Sequence, residues 1–279
     1  MADRRRRHAS PYSYHLRGDG MMELTRRQLL VAGGGVAGAL MASPLSTATA
    51  ATGVEMIPGA RALALPDGER VLVQAFGREV HWQRADGLHH LDLGSPFDTR
   101  VVAAARDQRM LWLLDRHKRL LHGVNKRGNV QRQLSLAALR DPADMVIHQG
   151  RAFISDVSGH RIVRLDLRDE SLSELHSDRP LNGPSSLAIG RSGLSALTLG
   201  DHRLHHFTAN GESLGSQASP VATPAALSNV NGELLLLDRC RNQLCWAGHA
   251  RPALALPSAG QVRLGHISWQ PGGDLLVSL

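Results

Sequence analysis

The sequence predicts an all-β protein, a six-bladed β-propeller with about 40 residues per blade, and three observations lead there. After residue 60 no stretch of helical length carries apolar residues at three-to-four spacing. Short apolar runs separated by Gly, Asp and Asn take its place. The runs RVLVQAF, MLWLLD, AFISD, ALTLGD, LLLLD and LLVSL recur, each behind a tight-turn pair: Asp67-Gly68, Asp107-Gln108, Gln149-Gly150, Ser192-Gly193, Asn231-Gly232 and Gly272-Gly273. The second residues of these pairs stand 40, 42, 43, 39 and 41 positions apart.

Each unit reads as four antiparallel strands. The first strands contain TRVVAAA, ADMVIH, SSLAIG, AALSNV and GHISWQ. The second is continuously apolar, as a strand buried on both faces between neighbouring blades must be. A polar loop leads to the third strand, and a second hairpin signal (Asp86-Gly87, Arg127-Gly128 or Asn210-Gly211) leads to a polar fourth. The first unit has Ala75 where later units have Asp, and the sixth reaches Leu279 after its second strand. A ring leaves no unpaired edges only if it closes, so the missing strands have to come from elsewhere. Residues 52 to 60, TGVEMIPGA, are the available segment; they supply one strand, and the last blade is expected to be incomplete.

The stretch AFISDVSGHRIVRLDL, residues 152 to 167, brings Ser155, Asp156, Ser158 and His160 together as a hydrolase might. Yet an Asp recurs at the end of the second strand: Asp115 in LLDRHKRLLHGV, Asp156, Asp201 in LGDHRLHHF and Asp238 in LLDRCRNQLCW. Repetition points to scaffold, since catalysis needs one such group and a turn needs one per blade. The carboxylate is expected to accept backbone N–H bonds in the loop that follows. Asp156 with His160, Arg161 and Ile162 resembles the signature of NHL repeats, blade units of six-bladed propellers. The resemblance covers roughly residues 60 to 279 and is best in the third unit.

The segment MMELTRRQLLVAGGGVAGALMASPLSTATAATG has a short charged region, an apolar stretch from Leu29 to Ala42 and small residues at Ala48 and Ala50, the three parts of a signal peptide. The apolar stretch is short and diluted by Gly33, Gly34, Gly35 and Gly38, so no stable membrane span is expected. Thr25, Arg26, Arg27, Leu29 and Leu30 resemble the twin-arginine (Tat) export motif, which implies folding before translocation, recognition by the Tat translocase and a periplasmic location. The expected organisation is a disordered or misassigned extension over residues 1–20, a signal peptide over 21–50 and a propeller over 51–279.

The formal charge of +7 comes from 32 Lys+Arg against 25 Asp+Glu. Residues 1 to 50 hold seven Arg and three acids, which leaves the remainder at about +3, with no dense basic face for nucleic acid.

Propellers bind at the mouth of the central channel, where the first strands begin. Alignment of these strands places Arg100, Asp144, Ser186, Ala226 and His266 near the axis, with Asn182 beside them. No cofactor is implied by a motif. Lactonase-like six-bladed enzymes hold a divalent metal there, and Asp144, Asn182 and His266 are the residues that would serve as ligands. In HRLHHF, His205 and His206 point to opposite faces of a strand, which argues against a three-His site with His202. His81 is expected opposite Asp92 across the Asp86-Gly87 turn. Cys240 and Cys245, the only cysteines, flank one loop and suit a local disulfide in an oxidising compartment. The expected function is a non-enzymatic periplasmic propeller that binds another periplasmic protein or an extracellular ligand; the alternative is a metal-assisted hydrolase or lyase.

The twin arginines are read by a receptor and not as charge alone. Arg26→Lys with Arg27→Lys should therefore leave the precursor in the cytoplasm, as scored by cell fractionation. Export at the normal rate would assign an ordinary secretory route.

Overall fold

The computed structural model describes residues 13–18, 22–23, 52–57, 60–65, 68–74, 79–95, 97–190, 192–248, 253–256, 265–269 and 275–278. The signal residues Thr25, Arg26, Arg27, Leu29, Leu30, Ala48 and Ala50 lie outside them, as do Ala75 and the Gly272-Gly273 turn. No helix of the described residues is long and apolar enough to cross a membrane.

Five sheets have the four-stranded antiparallel meander that the period predicts. Blade one starts with Ala60–Ala64, blade two with Val101–Arg106, blade three with Pro142–His148, blade four with Pro184–Gly190 and blade five with Pro224–Val230. These inner strands neighbour one another in order around an axis, and His266–Trp269 lies between those of blades five and one. The second strands of blades two to four are buried nearly along their length: all of Leu111–Asp115 and of Gly193–Thr198, and Ala152 to Asp156 in blade three. Their side chains form cores between successive blades, with Val71, Trp82, Leu111 and Leu113 joining blades one and two, and Trp112, Leu114, Ile154 and Val163 joining two and three. Fourth strands such as Leu172–Glu174 are exposed, as their polarity requires.

Among the described residues regular blades thus number five, where the period suggested six. The sixth sheet is a composite. His266–Trp269 and Leu275–Ser278 are antiparallel, but the next strand is Thr52–Ile57, which runs parallel to Leu275–Ser278 with Val54 opposite Leu275 and Ile57 opposite Ser278. Thr52–Ile57 precedes Ala60–Ala64, the first strand of blade one, in the chain. Ser13–Gly18 adds antiparallel to Thr52–Ile57, and Met22–Glu23 adds beyond it. Cleavage after Ala50 would remove these two strands and leave Thr52–Ile57 as the edge.

Turn chemistry follows the sequence. In Gln149-Gly150 and Asn231-Gly232 both residues have positive φ, the type I′ geometry that suits the twist of a hairpin. The turn in blade one is one residue earlier than expected: Arg84 pairs with Gly87, so His81 lies opposite His90, with ring centroids 5.4 Å apart, and not opposite Asp92. Asp92 instead accepts the Gly94 N–H at 2.9 Å.

The pairing of Thr52–Ile57 with the C-terminal strand has a measurable consequence. Urea midpoints of proteins beginning at Ala51 and at Ala60 should differ, the shorter being less stable by more than the ~1 kcal/mol of a typical point mutation. Equal midpoints would make the segment a linker.

Candidate functional site

The motif that looks catalytic is a turn. Ser155 is fully buried and bonds the backbone of Asp144, with the Asp144 N–H donating to Oγ at 3.0 Å. The Asp156 carboxylate accepts from the N–H groups of Asp141 at 2.7 Å, Arg140 at 3.1 Å and Gly159 at 3.3 Å. His160 turns away: its φ is 53° and its Nδ1 accepts the Gly183 N–H at 3.1 Å. Nucleophile, acid and base thus serve three different partners.

The same carboxylate role recurs. Asp115 accepts N–H bonds from Arg100, His117 and Lys118 at 3.0–3.1 Å, and Asp238 accepts from Thr223 Oγ1 at 2.7 Å and from the N–H groups of Cys240 and Arg241. Each carboxylate thus ties the loop entering a blade to the turn after its second strand. Burial alone would raise the Asp115 pKa, but His122 and these N–H donors outweigh it and hold the carboxyl below its ordinary value.

Asp201 does not belong to this set. The second strand of blade four ends at Thr198, opposite Pro184, as Asp156 ends opposite Pro142 and Asp238 opposite Pro224. Asp201 lies three residues on, exposed in the loop, where it accepts a 2.6 Å bond from Thr198 Oγ1. The constant interval from the proline was the sequence signal; alignment on the nearest Asp missed it.

At the axis, the first residue after the inner-strand bulge is Ala103, Asp144, Ser186 and Ala226 in blades two to five. The structure therefore brings Asp144, Ser186 and Ala226 to equivalent positions and replaces Arg100 with Ala103. Arg100 precedes its strand and is exposed. Asn182 lies on the exposed loop before Pro184, with its side chain against Gly200. Asp144 and His266 both line an axial cavity of about 260 Å³, whose other walls include Ala103, Ala104, Ile147 and Leu187.

The axial polar groups are largely committed to the neighbouring blade. Asp144 Oδ2 accepts the Leu187 N–H at 2.8 Å and its Oδ1 accepts the Met145 N–H at 2.8 Å. Ser186 Oγ accepts the Leu227 N–H at 3.1 Å and donates to the Leu227 carbonyl at 3.4 Å. Ser268 Oγ accepts the Ala64 N–H at 2.8 Å. Arg61, which sequence reading passed over, lies on the inner strand of blade one; burial pushes its pKa below the ordinary value, opposed by Asp144 and reinforced by Arg116 and Arg100. Burial raises the Asp144 pKa, opposed by Arg61 and the N–H donors. Burial and then the Arg61 cation push His266 well below its ordinary value of 6.5.

The remaining candidates are separate. His205 is buried with Nδ1 3.1 Å from Ser177 Oγ, His206 Nδ1 is 3.0 Å from Ser195 Oγ, and His202 is exposed in the turn at φ 51°. Among the described residues no group of three or more His, Cys, Asp or Glu is placed to hold a metal. Cys240 and Cys245 are free thiols, not a disulfide: Cys245 is mid-strand opposite Leu236, while Cys240 is exposed in the turn beyond the Asp238–Gln243 pair. A wide groove opens between blades two and three, at the end carrying the first-to-second-strand hairpins. Arg109, Lys126 and Arg168 stand exposed along it, and the Arg132–Glu170 ion pair at 2.8 Å braces one wall.

Solved structures share this architecture. A catalytically inactive variant of virginiamycin B lyase from Staphylococcus aureus, with quinupristin, is similar at a TM-score of 0.61 and 15% identity, covering 75% of this chain and 73% of that one. A chain of the nidogen/laminin complex is similar at a TM-score of 0.59 and 16% identity, covering 79% and 86%. This chain is a β-propeller. At such identities the likeness to a lyase and to a protein complex shows the fold and leaves activity to the site. No protein-family model matches the sequence, and no curated protein matches it.

Two outcomes follow for this propeller. Asp144→Ala strands the Leu187 and Met145 N–H groups and should destabilise more than Ser186→Ala, by about 1–3 kcal/mol for each unpaired buried donor, read from urea denaturation. The unfolded chain binds a proton at the His266 position near pH 6.5 while the buried imidazole does so only well below. The His266 contribution to stability should therefore rise with pH up to about 6.5 and level off above, against an opposite contribution from Asp144, whose pKa is raised; His266→Asn should lower the slope of stability against pH, leaving the parts of His205 and His206, which burial also lowers.

Proposed function

We propose that this propeller is an exported, non-enzymatic binding scaffold, delivered to the periplasm by the twin-arginine route and offering its channel mouth and its basic groove to another periplasmic protein or an extracellular ligand. The observation that carries the reading is the commitment of the axial polar groups. Asp144 Oδ2 and the Ser186 hydroxyl bond the backbone of the next inner strand, and Asp144 Oδ1 bonds that of its own, so the oxygens most suited to ligating a metal or activating water are occupied by the scaffold. The NHL resemblance and a ring of five regular blades with one composite sheet agree with this reading. So does the groove, whose exposed cations Arg109, Lys126 and Arg168 are available to a partner.

The rival, a metal-assisted hydrolase or lyase, differs in metal content. Protein purified from the periplasm without chelators should hold divalent metal far below one ion per chain by elemental analysis. One ion per chain that leaves with Asp144→Ala or His266→Ala would replace the scaffold reading with the enzymatic one.

A further inference from the structure

We propose that the groove between blades two and three binds an acidic, extended segment of a partner protein, whose carboxylates pair with Arg109, Lys126 and Arg168. This names the partner's chemistry within the scaffold reading above and rests on it. All three cations line the groove, whose volume is about 1320 Å³. All three are exposed, and none has a side-chain partner among the described residues. Their turns are already ordered. Asp107 Oδ1 accepts the Arg109 and Met110 N–H groups, each at 2.7 Å. Asn125 Oδ1 accepts those of Arg127 at 2.8 Å and Asn129 at 3.1 Å across the Lys126 turn, and Asp166 Oδ1 accepts the Arg168 N–H at 2.9 Å. A fixed turn loses little further entropy when its cation meets an anion.

The acids that line the groove are paired elsewhere. Asp107 Oδ2 accepts the Trp112 Nε1–H at 2.9 Å, Asp166 Oδ2 lies 3.9 Å from Arg151 Nε, and Asp169 Oδ1 accepts the Ser171 N–H at 2.9 Å. Arg132 crosses from blade two to blade three, donating to the Leu167 carbonyl at 2.6 Å and to Glu170 Oε1 at 2.8 Å, which fixes the two sides together. Spacing then selects the occupant. Lys126 and Arg168 sit in the third-to-fourth-strand turns of adjacent blades, and Arg109 in the first-to-second-strand turn of blade two. Packed sheets stand about 10 Å apart, and two strand steps also cover about 10 Å, so one small anion does not reach all three. An extended peptide, at about 3.3 Å per residue, reaches them with an acid at every third position. The groove's own carboxylates repel a continuous polyanion, whereas a peptide can keep neutral residues opposite them. Met110 and Ile147, partly exposed in the groove, suit an apolar side chain between the acids.

The test is fluorescence anisotropy of a labelled peptide of repeated Asp-Leu-Ser, titrated with the protein at low ionic strength, beside the same peptide with Asn in place of Asp. The wild type should bind the Asp peptide saturably and the Asn peptide far more weakly. Arg109→Ser, Lys126→Ser and Arg168→Ser combined should weaken binding by about tenfold, with Tm unchanged. A charge-matched variant, Arg100→Ser with Arg179→Ser and Arg239→Ser, removes exposed cations outside the groove and should bind as the wild type does. Equal weakening in the two variants is attraction to net charge and overturns the proposal. So does absence of binding by the wild type, or equal binding of the two peptides. Displacement of the Asp peptide by an equal concentration of tripolyphosphate would assign the groove to a compact polyanion and overturn the peptide reading. Failure of the scaffold reading would show instead as stoichiometric metal, which anisotropy does not measure.

Discussion

Between successive blades from one to five lies a core formed by two facing sheets, so the sheets of blades two, three and four present apolar side chains to a neighbour on either side. A sheet buried on both faces cannot stand alone or end a stack; it needs two neighbours, and a closed ring supplies them throughout. The composite sheet follows from this requirement. The N-terminal segment Thr52–Ile57 is drawn into the ring beside Leu275–Ser278, so the two ends of the propeller are tied by backbone hydrogen bonds.

Stacking fixes the distance between blades but not their angle or height. Polar groups at the axis set these. Asp144 bonds blade four, Ser186 bonds blade five and Ser268 bonds blade one, each reaching the backbone of the next inner strand. Such bonds are short-range and directional, whereas apolar packing is neither. One face of the ring is organised further by Asp115, Asp156 and Asp238, whose carboxylates join an incoming loop to an outgoing turn. Thr198 does related work in blade four through its bonds to Asp201 and Arg203.

What this scaffold leaves unsatisfied marks where it is open to ligands. Alanines at Ala103 and Ala226 interrupt the axial stitching. The groove between blades two and three is different in kind. Its wall arginine, Arg132, is braced by Glu170 and by the Trp112 ring at 5.4 Å, so exposed cations sit on a firm frame.

Much of this was legible in the sequence. Apolar runs at an interval near 40, paired with turn residues such as Asn231-Gly232, dictate repeated antiparallel sheets, because strand burial and turn geometry are local properties. The recurrent Asp was recognisable as a turn device for the same reason. Registers and neighbours were not. Whether Thr198 or Asp201 caps a strand, whether His81 meets Asp92 or His90, and whether Arg100 or Ala103 faces the axis depend on one- to three-residue offsets that pairing resolves. The parallel closure by Thr52–Ile57 and the cavity shared by Asp144 and His266 belong to the tertiary structure alone, since they join residues about 120 to 220 positions apart, and sequence carries no distance between strands that only a closed ring brings together.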